Sequence, residues 1–189
     1  MLQSLHFMPF VKHKGHNQQM LSSPTTRSIA LLGPIRVELN GEAIALPYDK
    51  VRALLVYLVL ESTRPVRRDT LTALLWPEQP DKEARHSLSQ ALLKLRQAFD
   101  PDNSLLLTDR HTVWVNPDVD IELDVARFES LLHNCRAHTH VRPEHCTRCM
   151  DGRKAALSLY QGDFLTGISI PGAPEFEDWL VVWRERLHR

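Results

Sequence analysis

From residue 28 the chain runs through short apolar stretches, SIALL and IRVEL, then Asn40-Gly41, then EAIAL. An Asn-Gly pair between such runs predicts a hairpin, because both residues accept positive φ, and so an antiparallel sheet opens the fold. After Pro47 the period changes. Val51, Leu54, Leu55, Leu58 and Val59 recur at three and four, the spacing of one buried helix face, and Pro65 is expected to stop that helix. A second helix turns Leu71, Leu74 and Leu75 inward and stops at Trp76-Pro77, since proline disfavours helical geometry in the residue before it. The longest helix opens near Asp81 and closes before Pro101. SLLLTDRHTVWVN then supplies two β-type runs around a polar tip at residues 109–111. Asp124 is placed to cap a helix through Leu132 by accepting from N–H groups of its first turn. GRKAALSLYQGDFL and EFEDWLVVWRERLHR are both helical, with an irregular connection. Residues 1–27 have no period and end in the linker-like SSPTT, so a flexible tail is expected there. The final amphipathic helix is scarcely finished at Arg189, which implies a longer parent protein.

The third helix has two chemically distinct sides. A projection at about 100° per residue puts Ala84, Leu88, Ala91, Leu92, Leu95 and Phe99 on one side. His86, Ser89, Gln90, Leu93 and Gln97 fall opposite, with Arg85, Lys94 and Arg96 on the flanks. From Ala84 to Phe99 no residue is acidic. Cationic side chains offset phosphate charge, and uncharged amides and hydroxyls can read base edges, so this is the make-up of a modest DNA surface. A plain solvated face would look similar. The order of elements separates the two readings: an opening sheet, three helices of which the third is basic outside, and a closing hairpin make a winged helix, in which the third helix enters the major groove.

Composition narrows the rest. The 189 residues carry 23 Lys and Arg against 23 Asp and Glu, so any nucleic-acid surface is local. It is concentrated where expected, with nine Lys and Arg against five Asp and Glu across residues 50–99. The length fits two small domains. The apolar start MLQSLHFMPFV is broken by Gln3, Ser4, His6 and Pro9, unlike a secretory leader. ALLVYLVL is far short of the roughly 20 apolar residues that cross a bilayer. A cytoplasmic protein without a membrane partner is expected. No GxxxxGK[ST] phosphate loop occurs. Trp76, Trp114, Trp179 and Trp183 each sit in an apolar periodic run and are expected in the core.

The segments IALLGPIRVELNGEAIALPYDKVRALLVYLVLE and RRDTLTALLWPEQPDKEARHSLSQALLKLRQAF resemble the DNA-binding domain of the Streptomyces antibiotic regulatory protein (SARP) family. That domain is an OmpR-like winged helix. The motif ARxxLxxxLxxLR stands here as Ala84, Arg85, Leu88, Leu92, Leu95 and Arg96. DVARFESLL, LYQGDFLTG and FEDWLVVWRERL look like the start of the family's bacterial transcriptional activation domain, a stack of tetratricopeptide-like helices. The resemblance covers residues 28–189. It implies an α+β winged helix over 28–116 with an N-terminal antiparallel sheet, three helices and a C-terminal hairpin wing, then an all-α tetratricopeptide-like segment over 117–189. It also implies a transcriptional regulator, an activator rather than an enzyme, that binds repeated sites in double-stranded promoter DNA, alone or beside a second copy of itself, and contacts RNA polymerase. The carried-over DNA readers are Arg85, His86, Ser89, Gln90, Lys94 and Arg96 on the third helix, with Arg110 and His111 on the wing. The wing departs from the family pattern: DRHTVWV stands where glycine and an aromatic residue are common. By analogy the loop WPEQPDKE faces the polymerase.

Residues 135–149, CRAHTHVRPEHCTRC, hold all three cysteines and three of the ten histidines. Cys146 and Cys149 stand one turn apart, and Cys135 with His138 repeats the spacing, giving C-x2-H and C-x2-C pairs able to share one tetrahedral ion. His140 competes for the fourth position. A structural Zn2+ clip held by Cys135, His138 or His140, Cys146 and Cys149 is the leading expectation, because four such ligands leave no open position and Glu144 is the sole carboxylate in the segment. The class-distinct alternative is a zinc-dependent enzyme, or a metal or redox sensor with a reactive Cys146 beside Arg148. Free thiols in a histidine-rich loop remain the plain reading.

Overall fold

A computed structural model describes residues 25–61, 64–137 and 146–188. The first sheet has the order β3-β2-β1-β7. Its strands are β1 (Arg27–Ala30), β2 (Arg36–Leu39), β3 (Glu42–Ala43) and β7 (Glu122–Leu123). β1 and β2 pair antiparallel with Ile29 opposite Val37, both buried on the core face. The β2–β3 turn is the expected Asn40-Gly41, with φ of 54° and 81°. Asn40 fastens it by accepting from the Thr26 N–H at 2.9 Å through Oδ1. The strand begins one residue earlier than expected: Arg27, assigned to the tail, is the first residue of β1 and only 3% exposed. Its guanidinium lies 3.6 Å from the buried Asp100 carboxylate, is paired with Asp102, and donates to the Phe99 carbonyl at 3.4 Å and to Ser104 Oγ at 3.2 Å.

Three helices follow, α1 (Asp49–Glu61), α2 (Arg68–Leu75) and α3 (Asp81–Phe99). α1 is buried beyond the predicted face, because Val56 and Leu60 are covered as well. α2 ends where Pro77 requires, with the Trp76 N–H closing on the Thr72 carbonyl at 2.9 Å. α3 buries Ala84, Leu88, Ala91, Leu92, Leu95 and Phe99, the whole predicted inner side. The second sheet, ordered β4-β6-β5, is the wing: β5 (Leu106–Thr108) and β6 (Thr112–Val115) form the expected hairpin. β4 (Val66–Arg67) adds a third strand opposite Val113 and Thr112, which two residues between Pro65 and a helix did not announce.

The C-terminal segment contains α4 (Asp124–Arg136), α5 (Thr147–Leu159) and α6 (Pro174–His188). The architecture is an α+β winged helix followed by a helical segment. α4 runs four residues past Leu132 and so carries Cys135. Asp124 does accept from the Val125 N–H at 2.7 Å, but its carboxylate also reaches across to the N–H groups of Leu31 at 2.8 Å and Leu32 at 2.9 Å. Burial raises its pKa, and these hydrogen bonds act against that rise. Residues on both sides of the expected division at 116 share one hydrophobic core, from Ile29 to Leu187. Gly33 permits the closest approach: at φ 132° it lies against Gln161 and Gly162, where an added Cβ would meet Gln161 Cβ at 3.2 Å.

α6 is anchored on α1 by aromatic side chains and one carboxylate. Glu61 Oε1 accepts from Trp179 Nε1 at 2.8 Å and from Trp183 Nε1 at 3.2 Å. Tyr57 and Phe176 lie 5.4 Å and 5.5 Å from Trp179, and Phe164 stacks on Trp183 at 5.6 Å. Trp76 and Trp183 are buried, while Trp114 and Trp179 are half-buried. Glu61→Ala removes the acceptor of both indoles. It is expected to lower the free energy of unfolding by about 1–3 kcal/mol, the cost of leaving such donors unpaired, and to shift the tryptophan emission of the folded protein. A denaturant titration that superimposes on the wild type would refute the anchor.

Candidate nucleic-acid interface

The outer side of α3 is open along its length. His86, Ser89, Gln90, Leu93, Lys94 and Gln97 are exposed, and the helix's acidic residues are confined to its start, Asp81, Lys82 and Glu83 forming the first turn. Acidic groups there suit the positive end of the helix dipole and leave the remaining turns to cations and amides. His86, Gln90 and Gln97 make no side-chain hydrogen bond or ion pair with another described residue. Ser89 donates its hydroxyl back to the Arg85 carbonyl at 2.9 Å, so its oxygen faces outward as an acceptor.

The three flanking cations differ. Arg85 Nη2 is 3.2 Å from Asp69 Oδ1, and Arg67 Nη2 is 3.4 Å from the other oxygen of the same carboxylate. Pairs this exposed are worth little, so Arg85 and Arg67 are available to another anion. Lys94 Nζ sits 4.8 Å from the centre of the Tyr48 ring, a cation–π contact that limits where its ammonium can swing. Arg96 is half-buried and turned toward the wing, where Nη2 donates to the Leu106 carbonyl at 3.2 Å and to Thr108 Oγ1 at 3.0 Å. The structure therefore joins Arg85, His86, Ser89, Gln90 and Lys94 on one surface and uses Arg96 as a strut behind it.

Arg110 and His111 occupy the wing tip, both exposed. Asp109 shapes the tip by accepting from the backbone N–H of His111 at 2.7 Å and of Thr112 at 2.6 Å. Those bonds, the His111 amide first, hold its carboxyl below the usual carboxylate range. Arg68 ties α2 to the same tip, with its N–H to the His111 carbonyl at 2.8 Å and Nε to the Asp109 carbonyl at 3.3 Å. Arg67 and Arg68 thus stand beside the wing, with the exposed Arg64 a few residues before them, and none was among the predicted readers. Their signal was present in TRPVRRDT, three arginines within five positions. It counted toward the local charge without indicating that β4 would bring them to β6.

The cysteines converge at the α4–α5 junction. Cys135 Sγ lies 3.6 Å from the Cys149 carbonyl, and Cys149 Sγ lies 3.6 Å from the Cys135 carbonyl. Cys146 is the N-cap residue of α5. Cys149 is fully buried, and its thiol is pushed up to about 11, by burial first and then by Cys135 and Cys146. Gly152 lies against this pair, since a Cβ there would meet Cys135 Sγ at 3.2 Å. His138 and His140 lie outside the described residues. Among the described residues no group of three or more His, Cys, Asp or Glu is arranged to hold a metal ion.

An exposed cationic and amide-bearing third helix, braced by a three-stranded wing, defines the class as an OmpR-like winged helix. The comparisons agree. The chain is similar to the regulatory protein AfsR of Streptomyces coelicolor, 29% identical over 157 residues that make up 83% of this chain and 15% of that protein. It is also similar to the transcriptional regulatory protein EmbR of Mycobacterium tuberculosis, 37% identical over 67 residues, or 35% of this chain and 17% of EmbR. A solved structure of M. tuberculosis EmbR in complex with a low affinity phosphopeptide shares the fold, with a TM-score of 0.64 and 24% identity over 87% of this chain and 43% of that one. No family model matches the chain. In sequence and in fold the chain is SARP-like, and it spans well under two thirds of the length of these relatives. No helix among the described residues is long and apolar enough to cross a membrane.

Burial and the raised pKa of Cys149 give a direct test of the thiol geometry. At about pH 8 an ordinary thiol is partly ionised and reactive, whereas a buried one is inert. Limited alkylation of the metal-free native protein should therefore modify Cys149 far more slowly than Cys135 or Cys146, with the difference lost in denaturant. Equal native rates would contradict the packing.

Proposed function

We propose that the chain is the DNA-binding part of a transcriptional activator, working in the cytoplasm. The observation that carries this reading is the outer side of α3, exposed from Arg85 to Gln97 and free of acidic residues from Ala84 to Phe99. A helix of this kind fits the major groove. Arg85, Arg67, Arg68 and Lys94 then meet phosphates, while His86, Ser89 and Gln90 meet base edges, and Arg110 and His111 follow the neighbouring backbone. The regulators to which the chain is similar support the assignment. Repeated sites would seat a second copy beside the first.

Activation would run through the α2–α3 loop. Its Glu78 pairs with Lys50 at 2.7 Å, a hydrogen bond that lowers the Glu78 pKa, and Lys50 in turn lies 5.5 Å from the Trp76 ring. Gln79 Oε1 accepts from Ser87 Oγ at 2.8 Å. These contacts hold Pro77, Glu78 and Pro80 outward in one shape, which suits a surface offered to RNA polymerase.

Sites selected from random DNA provide the test. Binding should weaken steeply with salt. Arg85→Ala and Lys94→Ala should each reduce the log–log salt slope by about 1 while leaving the melting temperature in place. Arg96→Ala should instead lower the melting temperature, because its guanidinium braces the wing. A salt slope unchanged in both Arg85→Ala and Lys94→Ala would remove α3 from the interface.

The structural Zn2+ clip is retained as part of this proposal, and the facing of Cys135 and Cys149 across the α4–α5 contact is what favours it. Zinc would need a further ligand from His138 or His140, and it would couple α4 to α5 because binding only the folded form stabilises that form. Protein purified without added metal should contain about one zinc per chain, by the one-ion stoichiometry of a four-ligand site, and should melt earlier in a chelator. Zinc-free protein with unaltered melting would exclude the clip and leave the thiols as packing groups.

A further inference from the structure

Leu93 is exposed on the side of α3 that carries the polar readers. It is 47% exposed, whereas Leu92 and Leu95 beside it are 3% and 0% exposed, so the core is filled without it. The other large exposed hydrophobic residues among those described, Met150, Leu157, Val181 and Val182, all belong to α5 and α6. Leu93 is thus the one such residue among the described residues of the winged-helix portion. A single exposed leucine is ordinary on a protein surface. This one lies seven residues after His86, four after Ser89, three after Gln90 and four before Gln97, in a single stripe of the helix.

The major groove shows one apolar group at its base edges, the C5 methyl of thymine, in a floor otherwise made largely of hydrogen-bonding groups. A branched aliphatic side chain that faces the floor can cover that methyl, and it can make no hydrogen bond to the amino group of cytosine. We propose that Leu93 is a specificity-determining residue that selects thymine by contact with its C5 methyl. The inference rests on α3 being the recognition helix. The spacing adds a positional statement. Gln90 and Leu93 are about 4.5 Å apart along the helix axis, at a rise of about 1.5 Å per residue. A base step is about 3.4 Å, so the selected thymine falls one or two base pairs from the position read by Gln90, whose amide suits adenine.

The experiment pairs a protein change with a DNA change. Sites are selected from random DNA with wild-type protein and with Leu93→Ala, and each thymine of the wild-type site is then replaced by uracil, which lacks only the methyl. One uracil replacement should weaken wild-type binding by about three- to fivefold, the equivalent of one buried methyl group. The same replacement should leave Leu93→Ala unaffected. The variant should lose thymine preference at that position and keep its neighbouring preferences and its salt slope. Uracil tolerated at every position, or equal sensitivity in Leu93→Ala, overturns the role of Leu93 and leaves the recognition helix standing. Wild-type protein that binds no duplex even at low salt removes the recognition helix itself, and Leu93 with it.

Discussion

The arrangement depends on one short stretch of backbone, residues 27–33, which is hydrogen-bonded from every side. β1 pairs with β2 along one edge and with β7 along the other. Beyond the strand, the N–H groups of Leu31 and Leu32 are taken by Asp124, and the carbonyls of Leu31, Leu32 and Gly33 accept from Leu165 at 2.9 Å, Gln161 at 2.9 Å and Thr166 at 3.1 Å. Ile29, Leu31 and Leu32 are all buried, so none of these backbone groups could turn to water instead. The same stretch begins with Arg27, whose guanidinium closes the C-terminal end of α3 together with Asp100 and Asp102. One segment thereby positions α3 at one end and the start of the helical segment at the other. The two halves of the chain share one hydrophobic core around it.

A neutral chain becomes a local cationic surface through the division of labour among its arginines. Arg27 and Arg96 are consumed internally: the first is buried against two carboxylates, and the second braces α3 against β5. Arg85, Arg67 and Lys94 are held loosely, by an exposed carboxylate or an aromatic face, and such contacts are readily exchanged for phosphate. Asp69 is shared between Arg67 and Arg85, one carboxylate oxygen to each. The wing tip shows the same economy, since the negative charge of Asp109 is directed at backbone amides and leaves Arg110 and His111 to face outward.

What could be read from the sequence was local. The inner side of α3, the Asn40-Gly41 turn, the wing hairpin and the stop at Trp76 each follow from spacing within a few residues. What escaped was long-range. Arg27 looked like the end of a tail because its partners are more than 70 residues away, at Phe99 to Ser104. Asp124 had the signature of a helix cap, and two of the three backbone N–H groups it accepts from belong to Leu31 and Leu32. Arg96 sits on the flank of the helical projection, but no projection contains the Thr108 hydroxyl that turns it inward. β4 and β7 are two residues long and exist only through their partners. The exposed polar side of α3 was therefore visible as a stripe, while Arg67 and Arg68 became visible only when β4 placed them beside the wing.

The thiols raise a competition that the geometry makes concrete. Cys135 and Cys149 face each other's carbonyls across the α4–α5 contact, and a buried cysteine packs well as a small hydrophobic group with a weak donor. Protonated, the pair already fills the space that Gly152 leaves open. A metal requires thiolates, and burial of Cys149 among neighbouring sulfurs favours the neutral form until an ion replaces the proton. The two states are thus alternatives for the same atoms: a protonated pair that merely packs two helices, and a thiolate set whose charge is tolerable only with a cation in place. In the observed geometry each thiol of residues 135 and 149 approaches the opposing carbonyl, which is the arrangement of the packed, protonated pair.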